Sequence, residues 1–106
     1  MIKVYIASPY THGDVVANVR YQIDVANELM NLGFCPYTPL LSHFHHLVHQ
    51  RSYTDWMAQS REWLQICDCL LRLSGVSDGA DNEVSIARQS GKPIFLSIEK
   101  LQKFYL

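Results

Sequence analysis

The chain has no surplus of positive charge: nine Lys and Arg stand against ten Asp and Glu over 106 residues, for a formal net charge of -1. A protein that tracks a nucleic acid polymer does so with a basic surface, so no such partner is expected. Long apolar runs are also missing. The longest are strand-sized, far short of the ~20 residues that span a bilayer, and "MIKVYIAS" enters a strand without a signal-peptide plan. The expectation is a cytoplasmic protein with no membrane partner. Cysteine is scarce and odd in number, and Cys67 and Cys69 stand too close along a strand for an ordinary bridge, so Cys35, Cys67 and Cys69 read as reduced, mostly buried thiols. No G-x-G-x-x-G and no Walker lysine occur, which removes the dinucleotide and P-loop signatures. His43, His45, His46 and His49 cluster without an H-E-x-x-H motif or a cysteine pair, so neither a metal nor any other cofactor is expected.

What is present is an alternation of strands and helices. "KVYIA" is a β-branched and aromatic run broken by Ser8 and Pro9, and it reads as a first, central strand. Asp14 can cap a helix with apolar positions at Val16, Val19, Ile23, Ala26 and Met30, stopped by Gly33. "FCPYTPL" reads as a shorter edge strand, because proline cannot donate to a ladder. Residues 41–53 have no clean period and read as a long loop with at most one helical turn. Ser52 and Asp55 have capping spacing before a helix over about 54–66, on which Trp56, Ser60, Trp63 and Cys67 share a stripe. "CDCLLRL" is a third strand, a helix follows over about 81–90, and "KPIFLSI" is the last strand. No repeat or linker divides residues 1–106, so one domain is expected. Alternating elements imply crossovers: an α/β fold, a small doubly wound parallel sheet of four to five strands in order 2-1-3-4, flavodoxin-like in outline.

In such a sheet, ligands bind beyond the carboxyl ends of the strands, at the switch in strand order. Two loops lie there, "SPYTHGD" and "SGVSDGAD", so Tyr5, Ser8, Tyr10 and Glu83 should converge on one cleft. Gly75 and Gly79 permit positive φ and close backbone approach, and Ser77 with the free N–H groups of the next helix could hold a phosphate or sugar oxygen. Asp81 and Glu83 have a simpler reading too, as acids favoured by the dipole of a first helical turn. Tyr10 is an aromatic at a strand's carboxyl end that could stack on a base.

"VYIASPY", "WMAQSREWLQICDCLLRL", "SDGADNEVSIA" and "GKPIF" together resemble the nucleoside 2-deoxyribosyltransferase superfamily, including the 2'-deoxynucleoside 5'-monophosphate N-glycosidases and short phage and bacterial members that begin with an "ASPY" loop. The resemblance runs over nearly the whole chain, and its most specific part is S-x-G-x-x-x-E before an apolar helix and G-K-P. It implies Glu83 as nucleophile, Tyr5 as the residue that orients it, and Ser77 and Gly79 as the hold on the sugar or its 5'-phosphate. A carboxylate below the anomeric carbon suits that role, since it can displace a base through an oxocarbenium-like transition state and leave a glycosyl ester.

One departure from the family pattern falls at Ser60, where many relatives carry an aspartate that assists departure of the base. A hydroxyl has no suitable pKa for that proton. Either another group supplies the proton, with Asp78 and Asp81 the closer candidates, or the substrate has a better leaving group, or activity is weak. Of the histidines, His43, just after the second strand, is the one placed to be a base contact or proton donor at the cleft mouth. Trp56 and Trp63 read as core or subunit interface. The apolar tail "EKLQKFYL" and the resemblance together imply a homo-oligomer, a dimer or higher. The expected partner is a small-molecule nucleoside or nucleotide, and the expected activity is cleavage or transfer of its N-glycosidic bond. The rival expectation is an inactive nucleotide-sensing module of the same fold.

Overall fold

The computed structural model describes all 106 residues. Four strands, β1 (Lys3–Ala7), β2 (Cys35–Tyr37), β3 (Cys69–Arg72) and β4 (Ile94–Phe95), form one sheet in the order β2-β1-β3-β4. Every pairing is parallel, with Val4 opposite both Pro36 and Cys69, and Leu70 opposite Ile94. This is the α/β, flavodoxin-like order expected from the alternation of elements. The proline-bearing β2 does sit at an edge.

Five helices connect and cover the strands: α1 (Val15–Asn31), α2 (Ser42–Val48), α3 (Tyr53–Ile66), α4 (Asp78–Gln89) and α5 (Ile98–Tyr105). Because side chains alternate across a strand, β1 and β3 feed two cores. Val4, Ile6, Cys69 and Leu71 pack with Val25, Ala26 and Leu29 of α1 and Leu101 of α5. Tyr5, Ala7 and Leu70 pack on the other face with Leu64 of α3 and Ala80 and Ala87 of α4. The buried thiols of Cys67 and Cys69 belong to these cores, and burial raises both pKa values to about 11. Cys35 is exposed. No helix is long and apolar enough to cross a membrane.

Caps follow the sequence. Asp14 accepts the Ala17 N–H at 3.1 Å, Ser52 the Asp55 N–H at 3.1 Å, and Ser97 the Lys100 N–H at 3.2 Å. Four details depart from expectation. On α1, Val16, Ile23 and Met30 are 71%, 38% and 64% exposed, and the buried stripe runs instead through Val19, Gln22, Val25, Ala26 and Leu29. Two stripes of helical period compete there, and a fully buried glutamine disguises the one that faces the sheet. Gln22 is satisfied by donating to Ser8 Oγ at 2.7 Å and accepting the Leu40 N–H at 2.8 Å, which pins α1 to the end of β1 and to a 3-10 turn at Pro39–Leu41. The long loop over 41–53 contains the helix α2, none of whose residues is buried, so its sequence lacks the apolar period of a packed helix.

The end of the chain differs as well. "KPIFLSI" supplies only a two-residue strand before Ser97 caps α5, which buries Leu101 in the core, while Phe104 and Leu106 stay exposed. Finally, α4 begins three residues earlier than the expected 81, because Ser77 accepts the Ala80 N–H at 3.1 Å and caps it. Gly79 had concealed that start.

Candidate active site

The carboxyl ends of β1 and β3 open into a cavity of about 770 Å³. Its walls come from the loop after β1, from α1 through Gln22, from α2 and α3, and from the first turns of α4. Ser8, Tyr10, Ser60, Ser77, Gly79 and Glu83 all line it. Tyr5 lies under this wall, 0% exposed, and its phenol donates a hydrogen bond to Glu83 Oε2. Tyr5 is placed by strand alternation, which turns it to the same sheet face as α4.

Glu83 belongs to the second turn of α4, not the first. The helix dipole acts within the first turn, where Asp78 and Asp81 stand, so the dipole reading does not explain Glu83. Its environment is costly for a charge. Burial pushes its carboxyl up to about 7, opposed by the Tyr5 hydrogen bond and by the positive Arg72. Tyr5 is pushed up too, first by burial and then by the negative charge of Glu83, while the Ser60 hydroxyl acts the other way. Tyr5 therefore remains a protonated donor across the ordinary pH range.

Arg72, at the end of β3, organises the loop that delivers α4. It donates to the Leu73 carbonyl, to the Gly75 carbonyl at 2.8 Å and to Asp81 at 3.0 Å. Gly75 has φ +118, and a Cβ there would stand 2.7 Å from Pro9 Cγ, so this glycine lets the two site loops touch. Gly75→Ala should cost about 1–3 kcal/mol through strain and the displaced Pro9, read as a lower midpoint in urea unfolding. A midpoint equal to wild type would show that the contact between the loops carries no stability. Gly79 is different: it is helical, without positive φ, and a Cβ would find ordinary contact with Tyr53 Oη at 3.7 Å. Gly79 therefore does not turn the chain.

His43 is not in the wall. Its Nδ1 meets the Tyr10 hydroxyl at 2.7 Å, so it holds Tyr10 rather than the cavity. The imidazoles that line the cavity are His12 and His46. Trp56 is not core either: half-buried, it lines the cavity and donates from its indole to His46 Nδ1 at 3.0 Å. Trp63 is 46% exposed and stacks on Tyr37 at 5.2 Å, outside the cavity. Asp68 lies at the opposite end of the sheet, where it accepts the Lys3 N–H at 2.7 Å. Gln22, Arg72 and His46 were the residues that sequence reasoning missed. The first hid as a polar residue in an apolar stripe, the second in a strand, and the third among four histidines without a period. No three His, Cys, Asp or Glu side chains converge where they could hold a metal ion.

Comparison with known proteins agrees with this architecture. A solved structure of a 2-deoxyribosyltransferase from the psychrotolerant bacterium Bacillus psychrosaccharolyticus superposes with a TM-score of 0.67 at 22% sequence identity, over 87% of this chain and 69% of that one. That likeness is one of fold. No curated protein matches the sequence. Residues 2–97, from the approach to β1 to the cap of α5, match the family described as a domain of unknown function (DUF7768), and the chain belongs to that family.

Proposed function

We propose that this protein cleaves or transfers the N-glycosidic bond of a deoxynucleoside, nucleoside or nucleoside 5'-monophosphate through a glycosyl ester on Glu83. The observation that carries the reading is the Tyr5–Glu83 pair at the floor of the cavity, a carboxyl taken out of water and oriented by a phenol that donates to Oε2 alone. The other oxygen, Oε1, is then free to attack. In the first step Oε1 bonds to C1' as the C1'–N bond breaks and its electron pair passes to the base. In the second, water or another base displaces the ester, and the sugar leaves with its original anomeric configuration. Ser77 and Gly79, at the start of α4, hold the sugar or its phosphate, and Ser8 and Tyr10 complete the pocket on the opposite loop. The likeness of fold to a 2-deoxyribosyltransferase supports the same reading.

The test is incubation with a panel of deoxynucleosides, nucleosides and their monophosphates, with free base measured by chromatography. The reacting form of Glu83 is the carboxylate, so base release should rise tenfold per pH unit below about 7 and level off above it. Serine at position 60 favours a second reading, a module that binds the nucleotide and does not turn it over. Tight binding with no base released by any member of the panel would select that reading instead.

A further inference from the structure

One imidazole in the cavity wall has its proton placed by its neighbours. His46 Nδ1 accepts two hydrogen bonds, from the Trp56 indole N–H at 3.0 Å and from the Arg51 backbone N–H at 3.2 Å. An indole nitrogen and a backbone amide can only donate. Nδ1 must therefore present its lone pair, and the proton of the neutral ring sits on Nε2. Trp56 is itself held, with the His45 ring edge-on at 4.9 Å. Both hydrogen bonds of His46 within the chain fall on Nδ1, so Nε2–H is left for a ligand of the cavity that His46 lines.

We propose that His46 is a catalytic residue that donates Nε2–H to the nucleobase as it leaves, a role that rests on the glycosidic reading above. Glu83 is the nucleophile there, so departure of the base needs a donor from another wall. As the C1'–N bond breaks, negative charge gathers on the ring nitrogen and on a conjugated acceptor beside it, a pyrimidine O2 or a purine N3. A hydrogen bond fixed at that acceptor stabilises the departing anion. The imidazole keeps its proton throughout, acting as a neutral electrophile, and the proton that finally neutralises the base comes from water. The site is thereby assigned to nucleosides whose base carries an acceptor next to the glycosidic nitrogen. Trp56 is the positioning residue, acting through the tautomer it enforces.

Two measurements on the intact chain test this. In nitrogen-15 NMR at alkaline pH, where an imidazole is neutral, His46 should show an unprotonated Nδ1 and a protonated Nε2, and adding free cytosine or adenine should shift Nε2. Trp56→Phe removes one of the two donors and should mix the tautomers, a change that loss of packing alone would not cause. In kinetics, His46→Leu should slow base release from 2'-deoxynucleosides about 100-fold, and His46→Gln, whose amide N–H2 reaches toward the Nε2 position, should recover most of it. The same His46→Leu variant should lose far less on N7-methylated 2'-deoxyguanosine, whose cationic base leaves without needing a donor. Equal losses on both kinds of substrate would overturn the proposal, as would a protonated Nδ1 or an Nε2 that no base disturbs. No turnover by the wild type on any substrate would remove the glycosidic reading and with it the catalytic role, while the NMR result would still decide whether Nε2–H contacts the base.

Discussion

A chain carrying Glu83→Gln is expected to release no measurable base, a loss of at least about 10³-fold, and yet to resist urea better than the wild type as the pH rises. Both effects have one origin. The fold holds a carboxyl where its ionisation is disfavoured, from an ordinary value of 4.5 up to about 7. Below the lower value both folded and unfolded chains carry the proton, and the position adds nothing that depends on pH. Between the two values the unfolded chain ionises while the folded one keeps its proton, so the stability of the wild type falls. Above about 7 the loss is complete, at about 3 kcal/mol from 1.36 kcal/mol per pKa unit. Glutamine keeps the oxygen that accepts from Tyr5 and does not titrate. The gap between the two unfolding free energies should therefore widen by that amount between pH 4.5 and 7. Parallel curves would mean that Glu83 is not desolvated, and undiminished turnover would mean that it is not the nucleophile.

Ser60→Asp carries the second large effect. Ser60 stands in the cavity wall on α3, and its hydroxyl influences the phenol that donates to Glu83. A carboxylate there would compete for the Tyr5 proton and repel the charge on Glu83, raising the nucleophile's pKa further. One additional unit lowers the ionised fraction about tenfold well below pH 7 and about fivefold at pH 7. We expect base release to fall by that factor or more at pH 7 and to recover in part at higher pH, as the rising limb moves to the alkaline side. Faster release at neutral pH would reverse the interpretation: position 60 would be a vacated acid site, and the serine the cause of a slow or idle protein. An unchanged profile in a folded variant would show that position 60 does not act on the Tyr5–Glu83 pair.

Much of this arrangement was legible before any coordinates. The strand order followed from the alternation of elements, and the meeting of "SPYTHGD" with "SGVSDGAD" followed from that order. The convergence of Tyr5, Ser8, Tyr10 and Glu83 was thus a matter of topology. What escaped depended on side-chain partners. Gln22 can be buried only because Ser8 and Leu40 satisfy it, and neither bond is written in a periodicity. Choosing between His43 and His46 required the positions of Tyr10 and Trp56, which come from different elements. The start of α4 was misplaced by three residues because a glycine inside the first turn looks like a loop residue.

The cavity's floor and its α2 wall differ in how they are held. Val4, Tyr5, Ile6 and Ala7 of β1 are completely buried, with strands on both sides, whereas α2 buries none of its residues. In hydrogen exchange, the amides of β1 should open only when the whole molecule unfolds, and those of α2 should open by a local fluctuation at a small fraction of that free energy. Tyr5 thus stands on the part of the protein expected to exchange most slowly, and His46 on one of the parts expected to exchange fastest. A ligand that seats between β1 and α2 has to quiet α2, and the free energy of ordering that helix is subtracted from its affinity. Bound ligand would show itself as slowed exchange along α2 with β1 unchanged, and a leaving base would find its way out where the amides open first.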